Sequence, residues 1–226
     1  MKILGLDTTT FTTALALCDH GQPLVQLVLA SAQLRSERLL PAISSLLELA
    51  RCDFQEIDIF AVASGPGSFT GVRVGMSVAK GFAAAGNKTI AVISSLKSLA
   101  ANVCFGLPQQ GFDYLVAVVV DARCQQVYTG IWQFVAGQMR ELRPEACEGL
   151  DAFVADLASL QAQMSLPVLL LGDGAQNCVA QLPSGFLLPS GGVLATPNAV
   201  AICRLAEDKK SWRRASDAQP NYLFNL

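Results

Sequence analysis

The sequence predicts an α/β protein of two related lobes. Three features predict it. Short apolar runs of strand length alternate with longer segments of helical period; a glycine-rich stretch, SGPGSFTGVRVG at 64–75, joins one such strand to one such helix; and the second half of the chain repeats the opening pattern of the first. At 226 residues the chain is long enough for two small domains, each with its own core.

Taken in order, KILGL at 2–6 reads as a strand, DTTTF as a polar turn and TTALALC as the next strand. DHGQ at 19–22, polar and glycine-bearing between apolar runs, reads as a hairpin turn into a third strand, PLVQLVLA. A helix is expected over 36–50, then a strand (IFAVAS, 59–64), a helix over 72–85, a strand (TIAVIS, 89–94) and a shorter helix near 96–103. Three meandering strands and two strand-helix units make one α/β lobe. In the second half LVAVVVDARCQQVYTGIW repeats the strand, Asp, turn, strand order of ILGLDTTTFTTALAL, with Asp7 and Asp121 114 residues apart. LLLGDG at 169–174 likewise echoes VASGPG, with Gly65 and Gly172 107 residues apart. The hinge is expected near FGLPQQGFD at 105–113, which divides the chain into lobes 1–105 and 106–226.

Composition narrows the function. The chain is 52% hydrophobic and only 15% charged, where charged residues usually make up about a quarter, so some apolar surface is expected to belong to a partner. The longest apolar run, LVAVVV at 115–120, is far short of the roughly 18 residues of a membrane span, and MKILGLDTTT turns polar too soon for a signal peptide. A cytoplasmic protein with no membrane role is expected. A formal charge of -2 argues against a free-standing nucleic-acid binder. Seven dispersed cysteines without a Cys-x-x-Cys pair read as reduced, mostly buried thiols. His20, the one histidine, sits in the DHGQ turn, where it can form no His-x-x-x-His metal pair and is badly placed as a catalytic base. No catalytic residue and no metal site is assigned.

The glycine stretch fails the P-loop pattern twice: five residues separate Gly65 from Gly71, and no Lys directly follows Gly71, the next cation being Arg73. It fails the dinucleotide fingerprint at Thr70. Pro66 stiffens the turn, Gly67 permits close backbone approach, and Thr70 is placed to cap a helix that starts near Gly71. Two readings stay open. The free amides of the helix start offer an anion site with Gly65, Gly67, Ser68, Thr70, Gly71 and Arg73 around it, or the stretch is a tight strand-to-helix corner.

The helix behind it is apolar over an arc of about 200°, twice what one sheet needs. Val74, Val78, Phe82 and Ala85 form a bulky face; Val72, Gly75, Met76, Ala79, Ala83 and Gly86 form an adjoining face of mostly small residues. The preceding helix carries a similar surplus around Leu39, Ile43, Leu46 and Leu47. One expectation is that Leu39, Ile43, Leu46, Leu47, Val72, Gly75, Met76, Ala79 and Ala83 meet a partner; the alternative is that the small-residue face packs on the chain's own sheet and the bulky face points outward. The late cluster KKSWRR reads either as the solvated end of a helix or as a contact for RNA phosphates through Lys209, Lys210, Arg213 and Arg214.

Five segments together resemble one family: DTTTFTTALAL, RSERLLPAI, SGPGSFTGVRVG, VVVDARCQQVY and QPNYL. The chain is similar to TsaB (YeaZ) proteins, bacterial accessory subunits of the machinery that makes N6-threonylcarbamoyladenosine in tRNA. The resemblance implies a two-lobed actin-like, Hsp70-like ATPase (ASKHA) fold of duplicated βββαβα lobes, the second reduced. It implies a non-catalytic role, binding and activating the catalytic subunit TsaD through the first two helices, with TsaE joining the complex and tRNA bound indirectly. A homodimer is expected where TsaD is absent. Asp7, Thr8 and Thr9 occupy the turn that grips phosphate in complete members of that superfamily, though a turn-capping Asp explains them equally. No cofactor is implied for this subunit alone; ATP or ADP and a metal are implied for the assembled complex. The competing classes are an independent actin-like ATPase or kinase using Asp7 and Asp121, and a glycoprotease-like peptidase, which no nucleophile-base pair supports.

Overall fold

A computed structural model of the chain describes residues 1–30, 35–106, 113–179, 181–182, 186–188 and 196–223. It divides into two units: Met1–Ser98 with Pro197–Tyr222, and Leu99–Thr196 with Leu223–Leu226. This differs from a single cut between 105 and 106, because the stretch after 196 returns to the first unit. Residues 107–112 of the expected hinge lie outside the described residues.

The first unit is built on six strands: β1 (Lys2–Asp7), β2 (Thr13–Asp19), β3 (Gln22–Leu29), β4 (Ile59–Ala63), β5 (Thr89–Ile93) and, from the end of the chain, β11 (Trp212–Arg213). They form one sheet in the order β11-β5-β4-β1-β2-β3. The β1-β2-β3 meander is antiparallel, while β4 pairs parallel with both β1 and β5. Strands β1, β2 and β4 are buried on both faces, which is why they read as continuous apolar runs rather than alternating ones. One face carries α1 (Arg35–Leu49) and α2 (Phe69–Gly86), whose Leu39, Ile43, Leu46, Met76, Ala79 and Ala83 close a core over Leu4, Leu6, Leu15, Phe60 and Val62. Short helices α3 (Ser95–Ala101) and α4 (Val103–Gly106) follow β5. Helix α7 (Ala199–Leu205) packs over the opposite face of the sheet. There Gly5 lies so close that an added Cβ would stand 2.7 Å from both the Ala199 carbonyl oxygen and Cys203 Sγ. This contact, with Cys203 Sγ donating to the Ile3 and Ala16 carbonyls at 3.5 and 3.6 Å, brings the late segment back to the first sheet.

The second unit has β6 (Tyr114–Arg123), β7 (Gln126–Val135), β8 (Gln138–Gly149), β9 (Val168–Leu171) and β10 (Phe186–Leu187), in the order β10-β9-β6-β7-β8. Matching β6, β7, β8, β9 and β10 to β1, β2, β3, β4 and β5 reproduces the first order, so the duplication read from the sequence is borne out in topology. Gly65 and Gly172 even share φ +98° at the ends of β4 and β9. Helix α5 (Leu150–Met164) covers the second sheet through Phe153, Val154 and Leu157. The reduction is visible too: α6 (Ala175–Val179) has 5 residues where α2 has 18.

Candidate partner-binding face and glycine loop

The glycine stretch is a corner locked from within. Helix α2 starts at Phe69 with Ser68 as its cap, the Ser68 hydroxyl accepting from the Gly71 amide at 3.3 Å. Thr70, expected to cap, instead lies exposed in the first turn, because the helix begins two residues earlier than its apolar period suggests. The 7–10 turn packs directly against this corner. The Ser68 amide donates to the Thr9 carbonyl at 2.7 Å, and Thr8 Oγ1 donates to the Gly71 carbonyl at 2.6 Å. Gly67, at φ +155°, has room for no Cβ beside Thr9, and a Cβ on Gly75 would run into Thr8 Oγ1. Gly75 is small because a polar turn passes over it.

Asp7 is buried, and its Oδ1 accepts from the Thr9 amide at 2.8 Å and from Thr9 Oγ1 at 2.7 Å. Burial pushes its carboxyl above the usual range, against the pull of these two hydrogen bonds. Thr8 and Thr9 are buried as well. Arg73 does not turn toward the loop amides: its Nε donates to Tyr222 Oη at 3.0 Å, and its guanidinium lies 3.8 Å over the Phe69 ring. The chain's late segment also crosses here, the Asn221 amide donating to the Ser64 carbonyl at 2.7 Å and Lys80 Nζ to the Ala218 carbonyl at 3.1 Å. The Ser68 and Gly71 amides, the two threonine hydroxyls, Asp7 Oδ1 and Arg73 Nε are engaged with groups of this corner or with Tyr222.

The helix faces correct the first expectation and fit its alternative only in part, since Phe82 of the bulky face packs on Phe54 and Phe60 and half-buried Val74 and Val78 also touch the core. Leu39, Ile43, Leu46, Val72, Gly75, Met76, Ala79 and Ala83 are buried in the chain's own core, with Ala79 and Leu46 at 0% exposure. They cannot meet a partner without opening the lobe. Only Leu47 of that set is half-exposed. What α1 and α2 show outward is another strip: Leu40 at 52% and Leu49 at 66% exposure, Phe69, half-buried Val74 and Val78, and Ser77, Gly81, Ala84 and Ala85. Gly81 has open space where a Cβ would stand.

The basic cluster is likewise reassigned. Helix α7 ends at Leu205, well before it. Lys209 and Lys210 form a single 3-10 turn capped by Asp208, and Arg213 belongs to β11 at the sheet's edge with Arg214 after it; all four are exposed. His20 lies in the β2-β3 turn with a side chain 80% exposed. Among the described residues no group of three His, Cys, Asp or Glu is arranged to hold a metal, and none of the seven cysteines forms a disulfide. No helix among them is long and apolar enough to cross a membrane.

Comparison with known proteins agrees with this architecture. The family model described as "TsaD: tRNA N6-adenosine threonylcarbamoyltransferase" matches residues 29–182. The tRNA threonylcarbamoyladenosine biosynthesis protein TsaB of Bacillus subtilis is 35% identical over 174 residues, 76% of this chain and 71% of that protein. The chain belongs to the TsaB branch of this TsaD family. YeaZ from Pseudomonas aeruginosa superposes with a TM-score of 0.79 at 27% identity, covering 98% of this chain and 99% of that one. An inorganic polyphosphate/ATP-glucomannokinase from Arthrobacter sp. strain KM superposes with a TM-score of 0.54 at 9% identity, over 91% of this chain and 98% of that one. That likeness concerns the fold alone, and the fold is the two-lobed ASKHA architecture that the resemblance to TsaB sequences implies.

Proposed function

We propose that the chain is a non-catalytic subunit that binds and activates TsaD in the transfer of a threonylcarbamoyl group to tRNA adenosine. The observation that carries this reading is the outward strip of α1 and α2, where exposed Leu40, Gly81, Ala84 and Ala85 and half-buried Val74 and Val78 leave apolar surface toward solvent, with the exposed charges Glu48 and Arg73 adjoining it in sequence. Burying one such aliphatic side chain fully is worth about 1.5 to 3 kcal/mol, so two helices exposing several of them make a natural half of a helix bundle. Family membership supplies the partner. TsaB-named relatives act in threonylcarbamoyladenosine biosynthesis, and the family model is that of TsaD itself.

A catalytic role has little to build on. The single histidine is in an exposed hairpin turn, and the polar groups of the glycine corner hold each other. In this proposal the subunit takes no nucleotide by itself, TsaE joins through the complex, and ATP or ADP and a metal belong to the assembly. Without TsaD, the same strip pairs with a second copy of itself. The test is capture with tagged protein, followed by light scattering of the free chain: TsaD recovered at equal stoichiometry and a dimer when it is withheld support the reading. A chain that leaves TsaD behind and stays monomeric at high micromolar concentration contradicts it.

A further inference from the structure

Lys88, directly after α2, and Arg213 and Arg214, 125 residues further along the chain, line one groove of about 800 Å³ at the β11 edge of the first sheet. Asp217 is the one carboxylate along it. Lys209 and Lys210 do not line it and sit in the turn before Trp212, next to exposed Glu207 and Asp208. In a chain whose formal charge is -2, three cations against one carboxylate along a single groove are a concentration against the average.

Among the described residues no ion pair engages Lys88, Arg213 or Arg214. Arg213 Nη1 donates to the Lys210 and Trp212 carbonyls at 2.7 Å each, which fixes one nitrogen of the guanidinium on neutral partners and leaves its charge uncompensated. Lys88 Nζ is anchored in the same way on the Gln55 carbonyl at 3.2 Å. Trp212 Nε1 donates to the Ala206 carbonyl at 2.7 Å and pins the strand that carries the arginines.

We propose that this groove binds the phosphate backbone of the tRNA substrate. The inference rests on the function proposed above and adds to it a surface of this chain that touches RNA directly, bordered by Ala84 at the end of the outward strip of α2. A small anion uses one or two donors in a closed pocket. An open groove far larger than a phosphate ion, with Lys88, Arg213 and Arg214 along it, matches phosphates spaced along a strand. Among the described residues no further strand pairs with β11 at this edge of the sheet.

The test is binding of fluorescein-labelled tRNA, measured across a salt series, by the chain alone and by its mixture with TsaD. The variants are Arg213→Ala/Arg214→Ala, Lys88→Ala/Arg214→Ala, and as charge control Arg123→Ala/Arg140→Ala on exposed sites of the second unit. Both groove variants are expected to melt as the native chain does, keep TsaD, bind tRNA about tenfold more weakly or worse, and show a log-log salt slope shallower by about two, one for each phosphate contact removed. The control should bind as the native chain does. Unchanged tRNA affinity in both groove variants, or an equal loss in the control, overturns the proposal. So does a groove whose variants lose stabilisation by inorganic phosphate while tRNA binding stays intact. Failure of the native chain to retain TsaD would strike the functional reading instead, and the tRNA series on the chain alone still decides the groove.

Discussion

Ala79 and Gly81 sit two residues apart on α2 and point in opposite directions, so one substitution at each separates folding from partner binding. Ala79 is fully buried against the sheet that carries Phe60 and Val62. Arginine there overpacks a filled core, at about 1–3 kcal/mol, and strands an unpaired charge, at about 3–5 kcal/mol more. A combined loss of about 4 kcal/mol or more is a large share of the roughly 5–15 kcal/mol that holds a domain folded. Ala79→Arg should therefore be insoluble, or melt at least about 8 °C lower, at about 2–4 °C per kcal/mol for a chain of this size. Gly81 is exposed, and a Cβ added to it would meet nothing within 4 Å. Gly81→Arg removes a poor helix former and should gain up to about 1 kcal/mol in the free chain. On the partner side the same arginine holds two helices apart and should weaken TsaD binding about 100-fold or more. The assays are thermal unfolding and co-purification with TsaD. A soluble, stable Ala79→Arg that loses TsaD, or a Gly81→Arg that binds TsaD normally, would refute the assignment of faces.

Three further outcomes are expected. Asp7→Asn should raise the melting temperature at neutral pH: with its folded carboxyl value raised by burial, native Asp7 lowers stability as pH climbs from the unfolded value through the folded one, and Asn keeps an acceptor for Thr9. The gain should shrink on acidification, and a lower melting temperature at pH 7 would show the ionised carboxylate to be stabilising. Ser68→Ala should cost about 1 kcal/mol through loss of the α2 cap, while Thr70→Ala stays near neutral; the reverse order in thermal melts would return the cap to Thr70. With iodoacetamide at pH 8, exposed Cys124 should react well before Cys178, which is buried with its thiol pushed up to about 11; equal labelling by mass spectrometry would contradict that burial.

The first lobe is legible in the sequence almost to the residue, because β1, β2 and β4 are apolar on both faces and are separated by unmistakable turns. Strand β8 is not, since RPEACEG is half-exposed and shows no clean alternation. The return of α7 and β11 is hidden for another reason: it rests on Gly5 meeting Ala199 and Cys203, a contact between opposite ends of the chain that no local pattern encodes. The wheel of α2 shows two apolar faces but not which is inside. Bulk assigns Val74 and Val78 to the core, where they are only half-buried, whereas the fully buried face is small where the Thr8 turn passes over Gly75. The hydrogen bonds from the 7–10 turn to the α2 corner are what decide the orientation. The basic cluster is visible as charge, but its partner Lys88 is not, because only the pairing of β11 with β5 brings the two together.

A chain that works only through TsaD should have no transfer chemistry of its own. Reconstitution of tRNA modification from threonylcarbamoyl adenylate measures this, comparing the chain alone, TsaD alone, and the chain with TsaD and TsaE. No modified adenosine is expected from the chain alone, and the full mixture should run well above the rate of TsaD alone, a gain that Gly81→Arg removes. Modification by the isolated chain at a rate comparable to the full mixture would contradict the non-catalytic role.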